Sequence, residues 1–264
     1  MYEFEYKKAS SVDEAAKAIA AAEDGKIMAG GMTLIPTLKQ RLAMPSDVID
    51  LNGIAELRGV KREGDSIVIG AMTTHGAVAS SDEVKSAIPA LAKLVGSIGD
   101  PQVRNRGTIG GSIANNDPAA DYPSALVALG ATVKTTKREI AAEDFFTAMF
   151  ETALEEDEII LQVSFPIPEK AGYEKFENPA SRYPLVGSFV AKTSGGVRVA
   201  VIGADPCVFR VPAYEDALSS NFSADAIPEG AVSADDLNSD IHASADYRAH
   251  LVTVMTRRAV QAAG

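Results

Sequence analysis

Two stretches of the sequence set paired glycines beside hydroxyls, the residue types a phosphate site needs. One is Ala29-Gly30-Gly31-Met32-Thr33, followed by Leu34; the other is Thr108-Ile109-Gly110-Gly111-Ser112. Adjacent glycines let the backbone approach a bulky ligand and can turn successive N–H groups into one concavity. The Thr108 and Ser112 hydroxyls can add donors to the same anion. A lone Gly-Gly is more simply a tight turn between strands, but two of the same shape could clasp one diphosphate from both sides. Neither stretch is a G-x-G-x-x-G fingerprint and no G-x-x-x-x-G-K-[ST] occurs, which argues against Rossmann and P-loop sites. Asp121 lies nine residues beyond Ser112 and completes a stretch, Ile98 to Pro123, that reads as a ligand-cradling loop without a long regular helix. Asp117, in an Asn-Asn-Asp-Pro run, reads as a turn builder.

Other side chains offer less chemistry. His75, His242 and His250 are scattered without metal spacing, and the one cysteine, Cys207, can complete neither a zinc set nor an iron–sulfur cluster. Cys207 reads as a buried hydrophobe in an apolar strand. Arg104 and Arg106 beside the second glycine stretch read as surface or subunit contacts. A redox metal therefore belongs on another chain.

The elements that must position the two glycine stretches can be read from periodicity. Phe4 and Tyr6 alternate with charges as in a strand. Ser11-Val12-Asp13-Glu14 is a capping box for a helix with Val12, Ala15, Ala16 and Ile19 on its apolar face, and Gly25 is placed to end it. A strand at 26–29 delivers the first glycine stretch, Thr33 caps a helix to about Arg41, and a third strand spans 47–51, giving a β-α-β-α-β unit over 1–55. A second α+β unit, 56–172, begins with a hairpin at 57–61 and 66–71. It continues with a short helix capped by Thr74, a helix at 83–95, the second glycine stretch, a helix at 123–129, a strand at 131–135, a helix at 142–150 and a strand at 158–165. The ligand would lie in the cleft between these units. The remainder, 173–264, holds a hairpin about 193–196, a strand at 207–211, a helix from Pro212, a short helix with loops over 223–244, and a closing helix capped by Asp246 with Leu251, Val254, Met255 and Ala259 as its stripe.

The chain has 264 residues, 46% of them apolar, enough for real cores, and its net charge of −11 argues against nucleic acid or an anionic membrane as partner. A single cysteine suits a reducing compartment. With no signal-like or membrane-spanning apolar run, a cytoplasmic location is expected.

Four stretches in order, 29–42 (AGGMTLIPTLKQRL), 48–51 (VIDL), 101–123 (PQVRNRGTIGGSIANNDPAADYP) and 173–182 (YEKFENPASR), resemble the FAD-binding medium subunit of molybdenum hydroxylases, the family of carbon monoxide dehydrogenase and bacterial xanthine dehydrogenases. The resemblance implies an α+β chain: the two-subdomain FAD-binding fold of the vanillyl-alcohol oxidase type, plus a small C-terminal α/β domain with a three-stranded antiparallel sheet. It implies that Ala29, Gly30, Gly31, Met32, Thr33 and Leu34, with Thr108, Ile109, Gly110, Gly111 and Ser112, hold the diphosphate and adjoining groups of FAD. It further implies that Asp121 accepts hydrogen bonds from FAD, that Leu161 lines the flavin, and that Lys175 lies near the cofactor. Met32 stands where relatives are often polar, so a backbone contact alone is expected there. The implied partners are a small subunit with [2Fe-2S] clusters and a large subunit with the molybdenum cofactor. No catalytic side chain and no metal ligand are expected in this chain. The competing readings are a free-standing flavin-dependent reductase or oxidase, and an assembly subunit that has lost FAD.

Overall fold

The computed structural model describes residues 1–264. The first unit is β1 (Glu5–Lys8), α1 (Val12–Ala21), β2 (Gly25–Met28), α2 (Leu34–Lys39) and β3 (Asp47–Asp50), with the strands parallel in the order β1-β3-β2. Ser11 Oγ accepts from Glu14 N, and the Glu14 carboxylate accepts from Ser10 N at 2.8 Å, one residue beyond the expected capping-box partner, Ser11 N. Gly25 does not end α1. It opens β2, where a Cβ would lie 2.6 Å from Ile19 Cδ1, so the missing side chain lets helix and sheet close together. Ala15 and Ile19 meet Ile49, Ile54, Leu57, Met72 and Ile159 in one core, which joins this unit to the next.

The second unit opens with the hairpin β4 (Val60–Glu63) and β5 (Ser66–Gly70). Helices α3 (His75–Ser80), α4 (Asp82–Ala87), α5 (Pro89–Gly96), α6 (Pro101–Arg106), α7 (Ile109–Asn115) and α8 (Tyr122–Leu129) follow. The single helix expected over 83–95 is two, because Pro89 has no N–H to continue α4 and instead starts α5 at its first position. Then come β6 (Thr132–Thr135), β7 (Glu139–Ala141), α9 (Ala142–Phe145), β8 (Phe146–Ala148), β9 (Glu151–Thr152) and β10 (Ile160–Pro166). The sheet is antiparallel in the order β4-β5-β10-β6-β7. Every residue of α8 is buried.

The helix expected over 142–150 stops at Phe145. Asn116 Nδ2 donates to Ala148 O (2.7 Å) and Glu151 O (2.8 Å), and Asn116 O accepts from Phe150 N (3.1 Å). The backbone groups that would extend the helix are thereby held in a hairpin, with Phe150 at φ 57°.

The third unit is the antiparallel sheet β11 (Lys170–Glu177), β12 (Pro184–Thr193), β13 (Gly196–Ile202) and β14 (Phe209–Arg210), with α10 (Pro212–Ser220) and α11 (Ala245–Ala262). Three long strands form the body of the sheet, and the two-residue β14 adds a fourth at its edge. Cys207 precedes β14 in a turn and is half-buried, so it is not the strand hydrophobe expected. Ser244, not Asp246, caps α11, accepting from Tyr247 N at 3.3 Å, while Asp246 sits in the first turn where its charge suits the helix dipole. Leu251, Val252, Met255 and Ala259 pack on Val186, Val190, Val199 and Val201. At Gly172 a Cβ would lie 1.9 Å from Ala259 O, which shows how closely α11 lies on β11. No helix is long and apolar enough to cross a membrane.

Candidate functional site: a cleft between two glycine loops

The first glycine loop joins β2 to α2. Gly31 sits at φ 74°, a conformation open to glycine at little penalty. Gly30 lies so close to the second loop that a Cβ would be 1.9 Å from Arg106 O. None of the five N–H groups from Gly30 to Leu34 donates to an acceptor in the protein. Five consecutive unused donors are what a backbone anion site presents. Thr33 heads α2 without a side-chain cap bond, so its hydroxyl is also free.

The second loop is built differently from the sequence-based expectation. Thr108 caps α7, and the glycines fall in the first turn of that helix with ordinary φ values. All four N–H groups from Ile109 to Ser112 are already used: Ile109 N donates to Thr73 O (3.2 Å), Gly110 N to Ala71 O (2.9 Å), Gly111 N to Thr108 Oγ1 (3.1 Å) and Ser112 N to Thr108 O (3.0 Å). This loop therefore offers a close-packed surface and the hydroxyl protons of Thr108 and Ser112, which have no protein acceptor, rather than a nest of N–H groups.

Between the loops lies a cleft of about 1200 Å³, somewhat above the ~300–1,000 Å³ of most small-molecule and cofactor pockets. Its wall includes Ala29, Gly30, Gly31, Met32, Thr33 and Leu34 from one side and Thr108, Gly110, Gly111 and Ser112 from the other, with Asp121 also on it. Ile109 is fully buried behind the wall in the core of the second unit. Leu161 also lies behind it, packed on the first core, while its neighbours Ile159 and Ile160 reach the surface. The wall also takes in His75; no single-sequence pattern marks it, because its place follows from α3 meeting the second loop.

Asp121 is the cleft's buried acid. Its Oδ1 accepts from Tyr173 OH (2.5 Å) and pairs with Lys175 Nζ (3.0 Å), both from β11. Lys175 is itself buried, at 3% side-chain exposure, and also donates to Ser97 O (3.1 Å) and Arg182 O (2.9 Å). Burial pushes the Asp121 carboxyl up from the usual carboxylate range, against the pull of the Lys175 ammonium and the Tyr173 hydroxyl. Asp121 Oδ2 accepts nothing from the protein. Lys175 thus lies one residue behind the wall, in position to orient Asp121. Asp117 forms the expected turn, accepting from Ala119 N at 2.8 Å. Arg104 turns inward to hold the 98–99 loop, donating to Ile98 O (2.9 Å) and Gly99 O (3.1 Å).

At the acidic end of the cleft, Glu158 accepts from Thr135 Oγ1 (2.6 Å), Arg138 Nε (3.1 Å), Arg138 Nη2 (3.2 Å) and Glu155 N (3.0 Å). Burial alone would raise this carboxyl, but Arg138, Thr135 and the Glu155 N–H outweigh it and hold the group at about 2. A folded value below the unfolded one contributes stability above the unfolded pKa of about 4.3, and that contribution fades as pH falls toward the folded value. Glu158→Gln should therefore melt below wild type at pH 7, with the gap closing as pH falls from about 4.5 to 2. Calorimetry of the two apo proteins across that range checks this; a gap independent of pH would contradict it.

The sequence model of the family described as "FAD binding domain in molybdopterin dehydrogenase" matches residues 2–168. The chain is 37% identical over 273 residues to the nicotine 6-hydroxylase medium subunit of Paenarthrobacter nicotinovorans, covering 98% of this chain and 96% of that protein. It is 34% identical over 277 residues to the carbon monoxide dehydrogenase medium chain of Hydrogenophaga pseudoflava, covering 98% and 96%. A solved structure of the latter enzyme, in a form lacking the Mo-pyranopterin moiety, superposes with a TM-score of 0.90 at 36% identity over 99% of this chain and 97% of that one.

Proposed function

The chain belongs to the family of FAD-binding domains of molybdopterin dehydrogenases, and from that premise we propose how its residues divide the work in the cleft. It is the FAD-carrying electron-transfer subunit of a molybdenum hydroxylase, an oxidoreductase in which [2Fe-2S] clusters on a small subunit and a molybdenum cofactor on a large subunit lie upstream. The bound flavin supplies the electron acceptance and release; the protein supplies position and electronics.

The single observation that carries the site reading is the run of five unused N–H groups from Gly30 to Leu34. These groups hold the diphosphate, with Gly31 setting the turn and Met32 contributing backbone only. Thr108 and Ser112 donate their hydroxyl protons from the opposite wall, and Gly110 and Gly111 keep that wall close. Asp121 accepts from the cofactor through Oδ2, while Tyr173 and Lys175 fix the carboxylate through Oδ1. Ile109 and Leu161 support the wall from behind. No side-chain acid, base or nucleophile is required for electron transfer, so none is named. An assembly subunit that had lost FAD would have no use for five consecutive unpaired donors on the cleft wall, and this favours the flavin-bearing reading.

The same reading divides the chain at about 55 and 172. Sheet membership supports it, with β11 beginning at Lys170 just ahead of the second boundary. It also puts the complex in the cytoplasm, a reading supported by the single cysteine, which suits a reducing compartment. Purifying the native complex and measuring iron, molybdenum and turnover tests the assignment. Iron and molybdenum should accompany the chain, and the isolated chain should not oxidise an organic substrate. A metal-free native protein with full turnover would instead indicate a free-standing flavoenzyme.

A further inference from the structure

His75 is on the cleft wall without a task in the reading above. It opens α3, its N–H donates to Gly107 O (2.9 Å), and Thr74 forms a bridge with Thr108, so the ring is carried to the foot of the second loop. The residue is 5% exposed. Nδ1 is buried without a hydrogen-bond partner, and Nε2 makes no bond to the protein. Tyr122 OH is buried and unpartnered as well, and the two rings stand 5.5 Å apart, tilted by 45°. Gly107 is what admits the ring to the wall, since a Cβ there would lie 2.6 Å from Nε2 and 2.8 Å from Cδ2.

Buried polar atoms in folded proteins are nearly always paired, so an imidazole and a phenol orphaned side by side at a ligand cleft call for a partner. Burial and the neighbouring Arg104 charge hold the imidazole down at about 4, so near neutral pH it carries one donor nitrogen and one acceptor nitrogen. We infer that His75 is a cofactor-binding residue: Nε2–H donates to an oxygen of the ligand seated against Thr108, and Nδ1 accepts from the Tyr122 hydroxyl across one buried water. The Tyr122 bond fixes the tautomer, and the tautomer aims the donor. This rests on the flavin reading. It adds to that reading a neutral donor at the second loop, where the backbone N–H groups are already spent.

The test is FAD titration of the full-length apo chain for wild type, His75→Leu, His75→Gln and Tyr122→Phe, with apo melting temperatures and the ¹⁵N spectrum of His75 with and without FAD. Loss of one hydrogen bond should weaken His75→Leu about tenfold. His75→Gln, which keeps an N–H near the Nε2 position, should recover most of that loss, and Tyr122→Phe should fall between them. In wild type, His75 should be in the Nε2–H tautomer with or without FAD, and adding FAD should shift its Nε2 resonance as that N–H gains an acceptor. Equal FAD affinity of wild type and His75→Leu, or a His75 spectrum indifferent to FAD, would overturn the inference. So would a glutamine variant as weak as the leucine variant. Failure of wild type to bind FAD at all would overturn the flavin reading itself, and this inference with it.

Discussion

Replacing Gly30 with alanine should abolish FAD retention and lower the melting temperature at the same time. The added methyl group would sit 1.9 Å from Arg106 O and 2.7 Å from Arg106 C, backbone atoms that cannot swing aside as a side-chain tip could. The two loops must separate to admit it. Overpacking of this kind destabilises by about 1–3 kcal/mol, and the displaced donors should weaken FAD binding by on the order of a hundredfold. Gly96→Ala is the matching control, because nothing lies within 4 Å of its added Cβ and the residue ends a helix. It should leave FAD affinity unchanged and stability level or slightly raised. Thermal melts and FAD titrations of the two variants decide the matter; a Gly30→Ala protein that binds FAD like wild type would contradict the loop geometry.

Asp121→Ala should have the larger effect on stability. It strips the Lys175 ammonium, at 3% side-chain exposure, of its buried carboxylate, and Tyr173 OH of its acceptor. Breaking a buried ion pair from one side typically destabilises by about 3–5 kcal/mol. The carbonyls of Ser97 and Arg182 that remain on Lys175 should keep the value toward the lower end of that range. Adding Lys175→Met to Asp121→Ala should restore much of the stability, since a well-packed apolar pair can replace a buried ionic one. It should not restore FAD affinity, because Oδ2 is gone in both. Urea unfolding of the apo proteins gives the first quantity and FAD titration the second. Recovery of both together would mean that Asp121 acts on the cofactor only through the fold.

The residues that were legible in the sequence are those whose structure is local. The strand before the first loop, the Ser11 and Thr74 caps and the hairpin about 193–196 each depend on neighbours within a few positions, and the structure places them as read. The Gly-Gly pairs stood out for the same reason. What could not be read depends on partners far along the chain. Asn116 captures carbonyls at 148 and 151 and turns an apparent helix into a hairpin. Carbonyls at 71 and 73 consume N–H groups of the second loop, which leaves the first loop as the anion-facing one. Asp121 meets its partners on β11 more than fifty residues away, and Lys175 accordingly supports the acid from behind. Periodicity carries no information about such pairings. The break at Pro89, by contrast, was written in the sequence, since proline cannot continue the helix before it.

The most direct measurement of the central claim is the flavin content of the isolated chain. The protein should be purified alone, exposed to FAD, freed of excess ligand and precipitated with acid, and the flavin in the supernatant compared with the protein in the pellet. The cleft geometry predicts about one FAD per chain, noncovalently held and fully released, because the cleft wall carries no cysteine and its one histidine, His75, is placed as a hydrogen-bond donor beside Thr108. A chain that takes up no FAD, or a pellet that keeps the colour, would contradict the account.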